Sequence, residues 1–327
     1  MILTLEAFAA IGLILGLLAW GTRKLSVKAG GLLVRRVGLA SAILFGIVGL
    51  SCFGFAVYLA SFLALGQPTP EDRMLGEGVR YQREVFDQPR RMVVHILQVD
   101  LSRGHRIVAS PPSVGLQNEA TIATKAIDDL KADVLINANF FNPFRDSTLF
   151  DYFPHEGDLV TSLGATIGQG KRYGQSFGTW VTFWSSPSGA VGFGDPPADA
   201  DAAVSGIGWL VQNGQNVVND QEGPYPRTAL ALDAARKQLW LVIVDGKQPR
   251  YSLGMTLREL SETLLRLGAS DAIQLDGGGS SILSARDNAG RAVLLSRPCH
   301  TKIPGRQRPV ANFLGVVFPR RSVTNSG

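Results

Sequence analysis

From Val37 to Leu65 the chain runs for 29 residues without one charged side chain. Such a run is long enough to cross a bilayer with some tilt, and in lipid it has one economical conformation. With no water to pair its backbone, every N–H and C=O must be closed inside the segment, which means a helix. A second apolar run, Ile2 to Trp20, is interrupted only by Thr4 and Glu6. Between the two lies Gly21 to Arg36, with Arg23, Lys24, Lys28, Arg35 and Arg36 and no acid. The first run has the length of a signal peptide, but basic residues follow it rather than precede it. A transmembrane hairpin of two helices fits better. Its basic loop is expected in the cytoplasm, which puts everything after Leu65 on the other side.

This placement also disposes of the basic charge balance. Of the net +5, residues 1–66 supply +4 through five Lys or Arg and one acid, leaving about +1 for the rest. A near-neutral soluble part has no electrostatic footprint for nucleic acid, so nucleic acid is not expected as a partner. Cys52 lies in the second apolar run and Cys299 in the distal part, so they are not expected to pair. The distal part has no Asn-x-Ser/Thr sequon. That favours a bacterial inner (cytoplasmic) membrane protein whose main domain is periplasmic or extracellular. The expected organisation is a hairpin at 1–66, a proline-bearing linker at 67–79, a domain at 80–320 and a tail at 321–327.

Within the domain, hydrophobic periodicity points to an α+β fold: a mixed sheet of many short strands with a few helices. Met92–Val99, Val134–Ile136 and Trp180–Trp184 read as strands. Thr228–Asp233 and Leu239–Asp245 read as an antiparallel hairpin around Ala234 to Lys237. Helices are expected over Glu119–Leu130 and from Thr256 to Gly268. The second opens on Thr256-Leu257-Arg258-Glu259, a capping box, and carries an apolar stripe at Leu257, Leu260, Leu264 and Leu267. Residues 142–174 read as loop, and 194–203 as a flexible stretch. Ile282–Ala285 and Ala292–Leu295 form a further hairpin, and a last strand follows Arg308 and ends near Phe318.

The stretch richest in chemistry is Leu275-Asp276-Gly277-Gly278-Gly279-Ser280-Ser281. An apolar strand ends in a carboxylate, then three glycines that open positive φ, then two hydroxyls. Such a loop can gather N–H groups into an anion nest, with Ser280 and Ser281 as further donors and Asp276 as acid, base or cation ligand. An ordinary hairpin turn capped by Asp276 is the plainer alternative, but it needs neither three glycines nor two serines. Zinc spacings, a Gly-x-Ser-x-Gly elbow and a P-loop lysine are all absent. Polar residues at strand ends complete the candidates: Asn137, Arg227, Asp245 and Arg308.

These segments also share an order. Asn137-Ala-Asn-Phe-Phe141, Arg227-Thr-Ala-Leu-Ala231, Val244-Asp-Gly246, Gly254-Met-Thr-Leu257, Leu275-Asp-Gly-Gly-Gly-Ser-Ser281 and Arg308-Pro-Val-Ala-Asn312 resemble the phosphodiester glycosidase family in sequence and succession. One departure is that the family shows Asn-Gly-Gly-Phe-Phe where this chain has Ala138 and Asn139. The resemblance implies hydrolysis of a sugar-1-phosphodiester at the anomeric carbon. It makes Asp276 the first-choice catalytic carboxylate and Asp245 the second, with Asn137 holding a sugar hydroxyl or water. Arg227 and Arg308 would clamp the phosphate, with Gly277, Gly278, Gly279, Ser280, Ser281 and Asn312 completing the substrate-binding set. A divalent cation, Ca²⁺ or Mg²⁺, bridging Asp276 and phosphate is an option that no ligand spacing demonstrates. The expected function is that of a membrane-anchored glycosidase acting on envelope or exopolysaccharide phosphodiesters. The alternatives are a non-catalytic module binding anionic glycans and, last, a membrane adaptor.

Overall fold

The computed structural model describes residues 2–28, 31–64, 66–219 and 222–319; the 321–327 tail lies outside them. The chain divides into two compact units, Met1–Gly66 and Gln67–Gly327. In the first, helix α1 (Ile2–Lys28) packs on helix α2 (Leu32–Ala64). Their apolar spans are 22 residues from Glu6 to Val27 and 29 from Leu32 to Ala60, each long and apolar enough to cross a membrane. A Cβ added at Gly12 would lie 3.0 Å from the Gly49 carbonyl oxygen, so two small residues let the backbones meet. One expectation changes here. Arg23, Lys24, Arg35 and Arg36 are helical, so the basic segment is made of helix ends with a short connection.

The second unit is a sandwich of sheets with helices outside. An eight-stranded antiparallel sheet runs through Glu71–Gly76, Val79–Phe86, Met92–Asp100, Gln238–Val244, Arg227–Leu232, Asp271–Gln274, Trp209–Gln212 and Gln215–Asn216. A five-stranded antiparallel sheet runs through Ala292–Leu294, Leu283–Arg286, Val134–Asn137, Phe313–Val317 and Arg106–Ala109. Alternation along the central strands decides the layering. Leu230, Leu232, Leu239, Leu241 and Ile243 face inward with Ile136, Leu283 and Leu314 of the smaller sheet. Ala229, Ala231, Trp240, Val242 and Val244 face the other way, where helix α4 (Leu257–Leu267) covers them with Leu260 and Leu264. Helix α3 (Ala123–Asp129) covers the outer face of the five-stranded sheet through Ala123, Ala126 and Ile127. A third sheet, also five-stranded and antiparallel, contributes Phe183, Ala202 and Val204 to the shared core.

The capping box forms as expected. Thr256 Oγ1 accepts from the Glu259 N–H at 3.2 Å, and Glu259 Oε2 accepts from the Thr256 N–H at 2.9 Å. Gly268 ends the helix at φ 97°. Three readings need correction. The linker at 67–79 contains the Glu71–Gly76 edge strand, and Gln67 Nε2 donates to the Phe86 carbonyl at 2.9 Å. The helix expected at Glu119–Leu130 begins at Ala123, because Asn118–Glu119 pairs as a strand with Leu159–Val160. The 142–174 loop holds short ladders, among them Arg145–Asp146 against Tyr152–Phe153.

Candidate active site

The Leu275–Ser281 stretch leaves the eight-stranded sheet and enters the five-stranded one, crossing the rim where several strand ends converge. Antiparallel register sets Ala229 against Gln274, which brings Arg227 beside Asp276 at the same edge. The Asp276 peptide is held from the other sheet. Its N–H donates to the Ala138 carbonyl at 3.0 Å, and its carbonyl accepts from Asn137 Nδ2 at 2.6 Å. The turn therefore has little freedom, and the Asp276 side chain lies in a cleft of about 470 Å³. Phe140, Phe144, Tyr225 and Ile207 give the cleft apolar walls.

Its charged lining is three cations and three acids: Arg227, Lys247 and Arg308 with Asp146, Glu222 and Asp276. Burial pushes the Asp276 carboxyl up to about 6, against the opposing pull of the Ser280 hydroxyl, the Arg308 charge and the Gly277 N–H. Arg308 is almost fully buried. It donates from Nε to His300 Nδ1 at 3.2 Å and from one terminal nitrogen to Ser280 Oγ at 3.2 Å, and it pairs with Asp146. Its guanidinium lies 4.6 Å from the Phe144 ring centre. Gly279 is needed here for space, since a Cβ there would come within 2.5 Å of an Arg308 terminal nitrogen. Arg227, also buried, donates from Nε to the Met255 carbonyl at 3.1 Å and with both terminal nitrogens to Glu222 Oε2, each at 3.1 Å. Lys247 Nζ stands 4.7 Å from the Tyr225 ring centre, and burial together with Arg308 lowers its pKa while Asp146 opposes this.

Several expected site residues face elsewhere. Asn137 is buried with both ends of its amide engaged: Nδ2 to Asp276, and Oδ1 accepting from Thr228 Oγ1 at 2.9 Å and the Ile282 N–H at 3.2 Å. It positions the turn, and its amide oxygen is taken up by that role. Asp245 is buried away from the cleft and accepts from His95 Nε2 at 2.8 Å, Tyr251 Oη at 2.9 Å and the Arg297 N–H at 2.9 Å. A carboxylate so enclosed braces the Val244–Asp245 strand end. Asn312 exchanges two bonds with Asn139, accepting from its N–H at 2.9 Å and donating to its Oδ1 at 3.1 Å. Asn139 also reaches the Leu163 carbonyl at 2.7 Å, so the departure from Gly-Gly builds an internal amide network. Ser281 lies 3.2 Å from Thr228 Oγ1, inside the core.

The nest is largely self-satisfied. The N–H groups of Gly278, Ser280 and Ser281 bond to Pro226, Gly277 and Gly278 carbonyls, and that of Gly277 bonds to the Asp276 carboxylate. Cationic side chains, more than backbone, supply the anion field. The place beside Asp276 is taken by the Arg308 guanidinium, and among the described residues no group of three or more His, Cys, Asp or Glu is placed to hold a metal. This donor set does not fit the cation option. Asp146, Lys247, Glu222 and Tyr225 were missed. Lys247 follows the Asp245-Gly246 pair directly, which is the signal that could have found it; Asp146, in a segment read as loop, carried none.

Comparison with known proteins bears on the family and the fold. A family profile described as phosphodiester glycosidase matches residues 131–317. A Bos taurus N-acetylglucosamine-1-phosphodiester alpha-N-acetylglucosaminidase is 31% identical over 144 residues, 38% of this chain and 26% of that protein. The chain thus matches about a quarter of this curated relative. The zebrafish enzyme of the same name, solved as a catalytic domain auto-inhibited by its pro-peptide, superposes with a TM-score of 0.54 at 22% identity, covering 78% of this chain and 85% of that one. A hypothetical protein from Synechocystis gives 0.51 at 17% identity, over 76% and 64% of the two chains. The profile spans more than half the chain and contains Asn137, Arg227, Lys247, Asp276 and Arg308, so the chain belongs to the phosphodiester glycosidase family, a family of hydrolases.

Proposed function

We propose that this protein is a membrane-anchored glycosidase that hydrolyses sugar-1-phosphodiesters outside the cytoplasm, in envelope or exopolysaccharide glycans. The observation that carries the reading is Asp276: a carboxyl raised to about 6 in a cleft whose other charged walls are Arg227, Lys247 and Arg308 with their acid partners. A sugar-1-phosphodiester presents one anion next to one carbon that becomes electron-poor as its bond to oxygen breaks. Ionised Asp276 stabilises positive charge at that carbon. The C1–O bond breaks with its electron pair going to the phosphate, which departs as a phosphomonoester, while water adds to C1 to give the free sugar. Phosphate is a good leaving group, so the cations need only hold it and neutralise its growing charge. Glu222 now occupies the Arg227 fork, but its side chain is 61% exposed, so the incoming phosphate can replace it at small loss. The apolar span of α2 and the basic helix ends of the first unit support the anchored, exported placement.

The test is hydrolysis of a panel of sugar-1-phosphodiesters, starting with methyl α-N-acetylglucosaminyl-1-phosphate, with binding followed calorimetrically. Asp276→Asn keeps the shape and removes the charge. It is expected to bind substrate while losing turnover by on the order of a thousandfold or more. Wild-type protein that binds these diesters and cleaves none, with Asp276→Asn binding identically, would leave the glycan-binding module as the better reading.

A further inference from the structure

A second cavity, of about 510 Å³, lies behind the Arg308 side of the cleft and is lined by Tyr152, His155, His300, Arg306 and Gln307 among others. Two side-chain pairs join it to the cleft. Arg308, in the cleft wall, donates to His300, in the cavity wall. Asp146, in the cleft wall, sits directly across its two-stranded ladder from Tyr152, in the cavity wall. Cross-strand neighbours share a face, so the two spaces are adjacent along one surface.

The lining of this cavity carries one guanidinium and one carboxylate, with two imidazoles and a phenol beside them. Arginine has no acceptor, so His300 Nδ1 must receive the Arg308 N–H through its lone pair, which leaves the proton of a neutral imidazole on Nε2. Burial and the neighbouring arginines hold this ring in its neutral form, with its pKa lowered to about 3. His300 is 1% exposed, and its Nε2 has no hydrogen-bond partner. A buried donor left unpaired is destabilising, so a partner that completes it, whether water, an ion or a ligand group, is expected beside it. Arg306 adds donors: one terminal nitrogen reaches Thr301 Oγ1 and the other Tyr152 Oη, both at 2.7 Å, which engages two of its five N–H groups. Gln307 is engaged with Thr124 on both sides. Glu156, the one acid in the lining, is paired with Lys125. Tyr152 stands in the middle, its ring centre 4.5 Å from that of His155, 5.0 Å from that of His300 and 4.7 Å from the Arg306 guanidinium.

Aromatic rings, a neutral N–H donor and a guanidinium suit a ligand with a hydrophobic ring face and an anionic edge. We propose that this cavity is a subsite for an acidic sugar, the glycan unit beyond the scissile phosphate, which packs on Tyr152 and His155 and places its anionic group toward Arg306 and His300. The substrate would then be a polymer or oligosaccharide of acidic character, read by two sites that share the Arg308–His300 wall. The inference deepens the glycosidase reading and rests on it for the term "beyond the scissile phosphate"; the binding itself does not depend on catalysis.

The experiment uses the full chain in detergent. Methyl β-D-glucuronide, methyl β-D-glucoside and inorganic phosphate are titrated separately while line broadening and saturation transfer from protein to ligand are recorded. Turnover of methyl α-N-acetylglucosaminyl-1-phosphate, which is too short to reach the second cavity, is measured on the same samples. The glucuronide is expected to bind at millimolar concentration and at least several-fold more tightly than the glucoside or phosphate alone. Arg306→Gln, at a half-buried position, should weaken it about tenfold through loss of a charge-assisted bond. His155→Ala, at an exposed one, should weaken it by a smaller factor. Both variants should turn over the methyl diester within twofold of wild type. No glucuronide binding, equal binding of all three ligands, or Arg306→Gln indistinguishable from wild type would each overturn the subsite. Glucuronide binding that shows the expected pattern in a protein unable to cleave the methyl diester would uphold the cavity and sink the glycosidase reading instead.

Discussion

At the scale of single residues, Asp276 and Asp245 make the sharpest contrast. Both end apolar strands and both precede glycine, yet one opens on the cleft and the other is enclosed by His95, Tyr251 and the Arg297 N–H. A raised pKa makes Asp276 testable by pH. Its ionised form is the one that stabilises a developing cation, so kcat/KM should fall about tenfold per unit below pH 6. The same shift has a stability consequence of known sign. The folded carboxyl holds its proton up to about 6 and the unfolded one only to about 3.8, so its favourable contribution is complete below the lower value and lost as pH rises through the upper. Asp276→Asn should therefore raise the melting temperature above pH 7 by an amount equivalent to on the order of 3 kcal/mol and do nothing at pH 3, as calorimetry would show. Glu222→Gln should tighten substrate several-fold by freeing the Arg227 fork, read as a lower KM at unchanged kcat.

At the scale of elements, helix α4 was legible because three independent signals coincide within it: a capping box, an apolar stripe and a terminal glycine. Thr256→Ala should lower stability by about 1 kcal/mol in denaturant titrations and leave turnover at 25 °C unchanged, since Thr256 does not line the cleft. Glu259 adds a pH arm. Burial raises its pKa, but Arg90 and the Thr256 bonds outweigh that and depress it, so the cap's contribution holds above the ordinary carboxylate range and is lost as pH falls below it. Helix α3 and the 142–174 segment were misread for one physical reason. Two-residue ladders such as Asn118–Glu119 with Leu159–Val160 have no periodicity of their own, and only their partners make them strands.

At the scale of the whole molecule, the second unit has its own layered core, which makes it the part to test for independence from the two N-terminal helices. The boundary belongs at Gln67. A fragment starting at residue 75 would cut the Glu71–Gly76 edge strand and lose the Gln67 bonds to Phe86 and Met92. Residues 67–327 should give a monodisperse, cooperatively melting protein without detergent; persistent aggregation would show that the unit needs the helices. A reporter fused after Gln67 that requires export for activity should be active, and cytoplasmic activity there would reverse the topology.

By itself the sequence determined what local chemistry can determine. The uncharged run is helical from Val37 to Ala64, the conformation that a segment with the length and apolarity to span lipid is expected to take, and Thr256 to Gly268 is helical because its own side chains close the helix ends. The apolar runs at 228–233 and 239–245, with a polar turn between them, declared an antiparallel hairpin. Tertiary structure alone decided which polar strand ends meet. Asn137 and Asn312 look like site residues in a motif, but packing turns their amides onto Asp276, Thr228 and Asn139. Asp146 and Lys247, a hundred residues apart, reach one cleft through the register of two sheets. A buried amide or carboxylate takes whichever partner the fold brings within about 3 Å, and that choice is made by distant chain, not by sequence neighbours.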